Sequence, residues 1–220
     1  LQSLGQIYCS AMSPGSNGWV FVGGQKGVAV LRVAGAGAHA GKGWTTNVPS
    51  SLQDVNGSAT ALANMTWLKV PDIDDVIREM TVVFDTGTSN KPVVVALGAK
   101  AIYAFIADGS DATYQGKFKD TPASAMSVQT LLPTAFGPSE RIWDIAPLYA
   151  RTGRVLVGTT KGLYHVVFNT NAWGTPTEIT DGSASLGSVA SIHVTSPVLG
   201  AGSDWSVNPV FMVDCLTAKA

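Results

Sequence analysis

The sequence predicts an all-β chain assembled from repeated antiparallel units, about three of them complete and a fourth partial. Three observations lead there. The phrase "WVFVGGQKGVAVLRV" at 19–33 returns as "RVLVGTTKGLYHVVF" at 154–168, and a degenerate third copy, "VVVALGAKAIYAFI", occupies 93–106. Self-similarity at a period of tens of residues governs the architecture of a chain and takes precedence over local propensity.

Each copy reads as a β-hairpin. Val, Ile, Tyr and Phe favour extended backbone, and Gly suits the tight reversal between two such runs. In this reading Gly158 and Gly162 permit the turn, the copy at 93–106 has a turn one residue shorter, and Lys26, Lys100 and Lys161 point to solvent. An apolar stretch and a polar turn precede each hairpin: "IYCSAMSPGSNG" before Trp19, "TVVFDTGTSNK" before Pro92, "IWDIAPLYARTG" before Arg154. Pro, Gly, Ser and Asn supply the turn chemistry. A weaker segment follows each hairpin, "GWTTNV" at 43–48, "ATYQGKF" at 112–118 and "AWGTPTEI" at 172–179, which makes four strands per unit. The lead-in "SIHVTSPVLGAGSDWSVN" and the strand "PVFMVDCLTAKA" begin a fourth unit.

Four-stranded antiparallel units recurring in this way mark β-propeller blades, whose sheets stack around a central channel. The phrase "GRVLVGTTKGLYHV" resembles the strand pair of a generic β-propeller blade. That resemblance implies a β-propeller-like fold over residues 1–220 as one domain or a fragment of one; a β-sandwich of similar strand count is the alternative. It implies nothing about activity, because such folds host binding, scaffolding and several chemistries.

The interval from Gly23 to Gly98 is longer than that from Gly98 to Gly158, and residues 50–78 are assigned to an inter-blade insertion. Within it Ile73, Val76, Ile77 and Met80 fall at i, i+3, i+4 and i+7, the spacing of one helical face. Asp72 is placed to cap that short helix, and Asp75 to favour its positive end. Asp72, Asp74 and Asp75 also form a speculative binding cluster, although the segment lacks the Gly and the distant Glu of a calcium loop. Asp204 and Trp205, in the polar stretch "GAGSDWSVN", are the other speculative binding residues, since an exposed aromatic in a polar loop marks a partner surface.

Composition narrows the remaining classes. Apolar residues are 45% of the 220 and charged residues 13%, against an ordinary ~25%, with a formal charge of −1. Without a basic stripe, nucleic-acid binding is not expected. No apolar run reaches the length of a membrane span. The chain starts at Leu1 without a targeting pattern and reads as processed or trimmed. Two sequons, Asn56-Gly57-Ser58 and Asn64-Met65-Thr66, lean localisation outward to the cell surface or beyond.

Cys9 and Cys215 are too few and too far apart for a zinc site; two free buried thiols are expected rather than a bridge. His39, His165 and His193 share no ligand spacing, and the two on strands are expected to bond backbone groups. No metal or cofactor is expected. There is no Gly-x-Ser-x-Gly elbow, and Asp85, Asp108, Glu140 and Asp144 form no motif from which carboxylate pairing follows. The expectation is therefore a non-enzymatic module binding a protein or glycan through its loops. The alternatives are a propeller-type hydrolase or lyase with acids at the channel mouth, and a structural subunit completed by further chain or another subunit.

Overall fold

The computed structural model describes residues 2–13, 19–33, 65–70, 73–85, 87, 91–107, 126–149, 153–195 and 210–216. Within these the chain is all-β, arranged as four antiparallel sheets, none closed into a barrel. The first sheet is the meander β1 (Ile7–Ser13), β2 (Trp19–Gly24), β3 (Gly27–Val33) and β4 (Met65–Lys69). The second is β5 (Ile77–Asp85), β6 (Lys91–Gly98), β7 (Ile102–Ala107) and β8 (Met126–Leu131). The third runs β9 (Ile142–Tyr149), β10 (Arg154–Thr159), β11 (Leu163–Asn169), β13 (Thr177–Asp181) and β14 (Ala184–Ser185), with β12 (Ala172–Trp173) paired to β11. The fourth comprises β15 (Ser188–Thr195) and β16 (Val210–Leu216).

The three hairpins of the duplicated phrase are β2–β3, β6–β7 and β10–β11. Their turns are of equal length, which corrects the shorter turn expected of the second copy. Gln25-Lys26, Ala99-Lys100 and Thr160-Lys161 occupy the same two positions, and it is the glycine that moves. Gly98 stands where Thr159 stands in the third sheet, and Leu97 takes the place of Gly158. The same backbone bond ties each turn to the residue before its first strand: Gln25 to Gln6 O at 2.9 Å, Ala99 to Val76 O at 3.0 Å, Thr160 to Arg141 O at 3.0 Å.

The helix expected around Asp72–Met80 is not formed. Ile77–Asp85 is a strand, and Ile73–Val76 form the irregular approach to it. The helical spacing arises because a buried loop residue, Ile73, happens to precede a strand by the length of one turn. Pairing of the β-branched run with β6 outweighs that local pattern. Within the segment 50–78 assigned to an insertion, β4 at 65–69 pairs with β3 as the fourth strand of the first sheet, while 50–64 lie outside the described residues. The sequences expected to provide fourth strands at 43–48 and 112–118 lie outside the described residues.

The chain divides into two compact units, Leu1–Val82 with Pro92–Gln129, and Val83–Lys91 with Thr130–Ala220. In the first, Phe21, Val28 and Val30 pack with Ile77, Val94, Ala96, Tyr103 and Phe105, so the first and second sheets meet face to face. The rings of Phe21 and Phe105 lie 5.7 Å apart. On the other face of the first sheet, Val22 and Ala29 close over Leu4. Burial on both faces explains why β6 reads as the unbroken apolar run Val93–Leu97 rather than as an alternation. In the second unit, Ala146, Leu156 and Leu163 of the third sheet pack with Val189 and Ile192 of the fourth.

Gly23 and Gly158 are where these sheets touch. A Cβ on Gly23 would stand 2.5 Å from Ile77 Cγ2 and 2.7 Å from Cys9 Sγ; one on Gly158 would stand 2.6 Å from Val189 O. Neither residue has positive φ; both serve close approach, which for Gly158 replaces the turn role expected of it.

Phe105 is fully buried within the first unit's core. Phe105→Ala is expected to lower unfolding free energy by about 3–5 kcal/mol, measured by urea denaturation against the unsubstituted chain.

Candidate functional site

The residues singled out in the sequence separate sharply. Asp72, Asp204 and Trp205 lie outside the described residues. Asp74 is exposed, and its carbonyl oxygen accepts a hydrogen bond from Lys100 Nζ at 2.6 Å. Asp75 is buried, and its carboxylate accepts from four donors: the amides of Val76 (2.7 Å), Ala99 (3.1 Å) and Lys100 (2.9 Å), and the Tyr103 hydroxyl (3.0 Å). Gly98 leaves the space that this carboxylate fills. Burial, and then the hydrogen bond and charge of Asp75, push the Tyr103 phenol well above its ordinary value. Among the described residues no group of three or more His, Cys, Asp or Glu could hold a metal.

Asp75 belongs to an arrangement shared with the third sheet, two residues before the first strand. Glu140 stands there, buried, accepting from Thr160 Oγ1 at 2.7 Å with Lys161 Nζ 3.6 Å away. In the first sheet that position is Gly5 (φ 68°). In the first sheet the Leu4 carbonyl takes the Lys26 amide at 3.0 Å in place of a carboxylate. Lys100 and Lys161 are therefore exposed but engaged, which revises the expectation that they simply point to solvent: Lys161 Nζ also donates to Pro138 O at 3.0 Å.

The acids considered for hydrolysis are similarly engaged with the backbone. Fully buried Asp85 accepts from the amides of Gly87 (2.9 Å), Thr170 (2.8 Å) and Asn171 (2.6 Å), the last two in a turn with positive φ. Asp144 accepts from Ile145 at 2.9 Å and from Ile192 at 2.7 Å, bridging β9 to β15. Asp108 lies outside the described residues. These carboxylates replace water around backbone donors and hold neighbouring strands.

The other nucleophile candidates are equally constrained. Both cysteines are free; Cys9 is partly buried, whereas Cys215 is exposed, contrary to the expectation of two buried thiols. Burial foremost, opposed by the bond from the Gly23 backbone and assisted by the Glu79 charge, raises the Cys9 thiol to about 11, leaving it protonated at neutral pH. Its Sγ lies 3.8 Å from Ile77 O, to which it donates. The Nδ1 of His165 is buried without a hydrogen-bond partner, against the expected backbone bond, and exposed His193 meets Ser191 Oγ at 3.2 Å. His39 lies outside the described residues.

One surface feature was not recognised from sequence. In the first strands of the first, third and fourth sheets the register skips one residue: between Ile7 and Cys9, between Ile142 and Asp144, and between Val189 and Ser191. The extra residues are Tyr8, Trp143 and Ala190. A bulge of this kind bends its strand and re-aims the inserted side chain. Tyr8 is 46% exposed, Trp143 38%, and Ile7 beside Tyr8 40%. In the second sheet Arg78 follows Ile77 as Tyr8 follows Ile7; it is exposed, with its guanidinium 3.5 Å from Gly98 O. The signal was present as Ile-Tyr, Ile-Arg and Ile-Trp, an Ile followed by a large side chain at the start of each of these first strands.

Comparison with protein-family models, with curated proteins and with solved structures finds no match.

Removing the Asp75 carboxylate would take an acceptor from the Val76 and Lys100 amides and from the buried Tyr103 hydroxyl. Asp75→Ala is expected to cost about 2–4 kcal/mol of stability, and the double variant with Tyr103→Phe to cost less than the sum of the two single changes, as a thermal or urea double-mutant cycle would show.

Proposed function

We propose that the four sheets are successive blades of a β-propeller and that the chain works by recognition, binding a protein or glycan partner rather than transforming a substrate. The repeated meander, the equal turns and the shared bulge support the propeller reading. In such a fold the first strand of each blade borders the central channel, and the connecting loops at its ends carry the variable residues. The observation that carries recognition is that each compact unit presents an exposed aromatic side chain on an equivalent bulge, Tyr8 in the first and Trp143 in the second.

An exposed Tyr or Trp on a rigid strand offers a large, flat, amphipathic contact at little conformational cost. With few charges anywhere in the chain, a neutral glycan face or a weakly charged peptide suits such an aromatic contact better than a polyanion. The acids that a hydrolase or lyase reading would recruit, Asp85, Glu140 and Asp144, are those engaged in holding strands and turns. Asp204 and Trp205 remain proposed loop contacts of the same module, and an extracellular or surface setting remains the proposed location.

Screening on an array of neutral oligosaccharides and immobilised peptides, followed by titration of the best binder, tests the reading. Tyr8→Ala and Trp143→Ala are each expected to weaken that binder about ten-fold or more while leaving the melting temperature nearly unchanged. Binding that survives both substitutions would overturn a role for these aromatic side chains in recognition.

A further inference from the structure

The positions on either side of Ile7, Ile77, Ile142 and Val189 hold a different pair of residues in each sheet. Gln6 and Tyr8 stand there in the first sheet, Val76 and Arg78 in the second, Arg141 and Trp143 in the third, Ser188 and Ala190 in the fourth. The backbone is alike in the first three, since the carbonyls of Gln6, Val76 and Arg141 each accept the turn amide of their own sheet. The side chains are what differ. Of these pairs the third sheet's alone combines an aromatic ring with a cation, and both Arg141 and Trp143 are exposed. The acids beside them are engaged elsewhere. Glu140 is buried against the Thr160 hydroxyl and Lys161, and Asp144 accepts from the Ile145 and Ile192 amides. Arg141 bonds through its backbone, its amide donating to Thr160 Oγ1 at 3.2 Å, and among the described residues no carboxylate pairs with its guanidinium.

We infer that Arg141 and Trp143 form a subsite for a protein partner that presents a single carboxylate, an Asp or Glu side chain, next to an apolar residue of an extended segment. This rests on the proposed recognition through exposed aromatic side chains and narrows the partner at the third sheet. A guanidinium is a planar fork whose N–H groups match the two oxygens of a carboxylate, and such charge-assisted pairs are the stronger hydrogen bonds. Trp and Arg are also the residue types that dominate binding energy at protein interfaces. Two residues apart on one strand, they are separated by about 7 Å at most, which is the spacing of alternate residues in an extended partner. An acidic and an apolar side chain at i and i+2 therefore meet Arg141 and Trp143 together. Because Lys161 is already paired with Glu140, the site offers one uncompensated cation and selects one acid over a polyanion. The first sheet carries the neutral version of the same pair, Gln6 with Tyr8, and supplies the internal control.

The test is an array of short immobilised peptides, each Asp or Glu sequence beside its Asn or Gln counterpart, with oligouronates spotted alongside. It is probed with the whole chain, and the best peptide pair is titrated in solution. The acidic member is expected to bind about ten-fold more tightly than its amide counterpart. Arg141→Gln, which copies the first sheet, should bring the two members level at an unchanged melting temperature, whereas Trp143→Ala should weaken both by about ten-fold or more. Absence of an acid preference in the unsubstituted chain, or a preference that survives Arg141→Gln, would overturn the inference. If Trp143→Ala still weakens binding in that case, recognition through the aromatic side chain stands; binding indifferent to both Tyr8→Ala and Trp143→Ala would overturn recognition itself. An array on which no peptide binds, with or without Arg141-dependent capture of an oligouronate, would overturn the protein partner.

Discussion

Each compact unit depends on the approach of one sheet's second strand to the first strand of the sheet packed on it. At Gly23 and Gly158 this distance is so short that no side chain fits between them. Ile77 fills the space above Gly23, and Val189 lies over Gly158 with its carbonyl oxygen nearest. The apolar clusters of both units form around these contacts, and Cys9 and Asp144 reinforce them with bonds from the first strand of one sheet to that of the next. Two glycines in strand interiors are unfavourable in themselves. They are stabilising here because the packing they allow is dense, and dense interiors gain most of their energy from contacts at van der Waals distance.

Buried carboxylates do the complementary work at the ends of the strands. A hairpin turn leaves amides that neither strand can satisfy, and burying them unpaired is costly. Asp75 answers this with a carboxylate on the amides of Ala99 and Lys100, and Asp85 does the same for Thr170 and Asn171. In the third sheet Thr159 serves its own turn, its hydroxyl accepting from the amides of Lys161 and Gly162 and donating to the Gly162 carbonyl. Acids at such positions look catalytic in a sequence because they are isolated among apolar residues. Their isolation instead reflects a local shortage of acceptors.

Much of the sheet plan was legible in the sequence because a repeat carries its own control. The hairpins at 19–33, 93–106 and 154–168, the weaker strand near 177 and the pair that opens the fourth sheet follow from alternation and turn chemistry alone. What misled was local. Ile73, Val76, Ile77 and Met80 imitate a helix because a loop and a strand, joined end to end, can reproduce a spacing of three and four. The fourth strand of the first sheet was missed because it follows its hairpin at a distance, and spacing in sequence does not reveal pairing. The candidate site was the least legible part. A bulge is a property of register between two strands, so Tyr8 and Trp143 become notable only once Ile7, Cys9, Ile142 and Asp144 have found their partners. Asp75 was assigned to the end of a helix, whereas three of the four donors to its carboxylate lie about 25 residues further along the chain.

The most direct measurement of the account is the sign of the stability change on Gly23→Ala and Gly158→Ala. In a strand interior with free space, replacing glycine by alanine stabilises by about 0.5–1 kcal/mol through the unfolded chain. Close approach of the following sheet reverses this, and each substitution is expected to destabilise by about 1–3 kcal/mol in urea denaturation, with the two effects adding in the double variant. Unchanged or increased stability in both variants would contradict the account, because the sheets could not then meet at these two glycines.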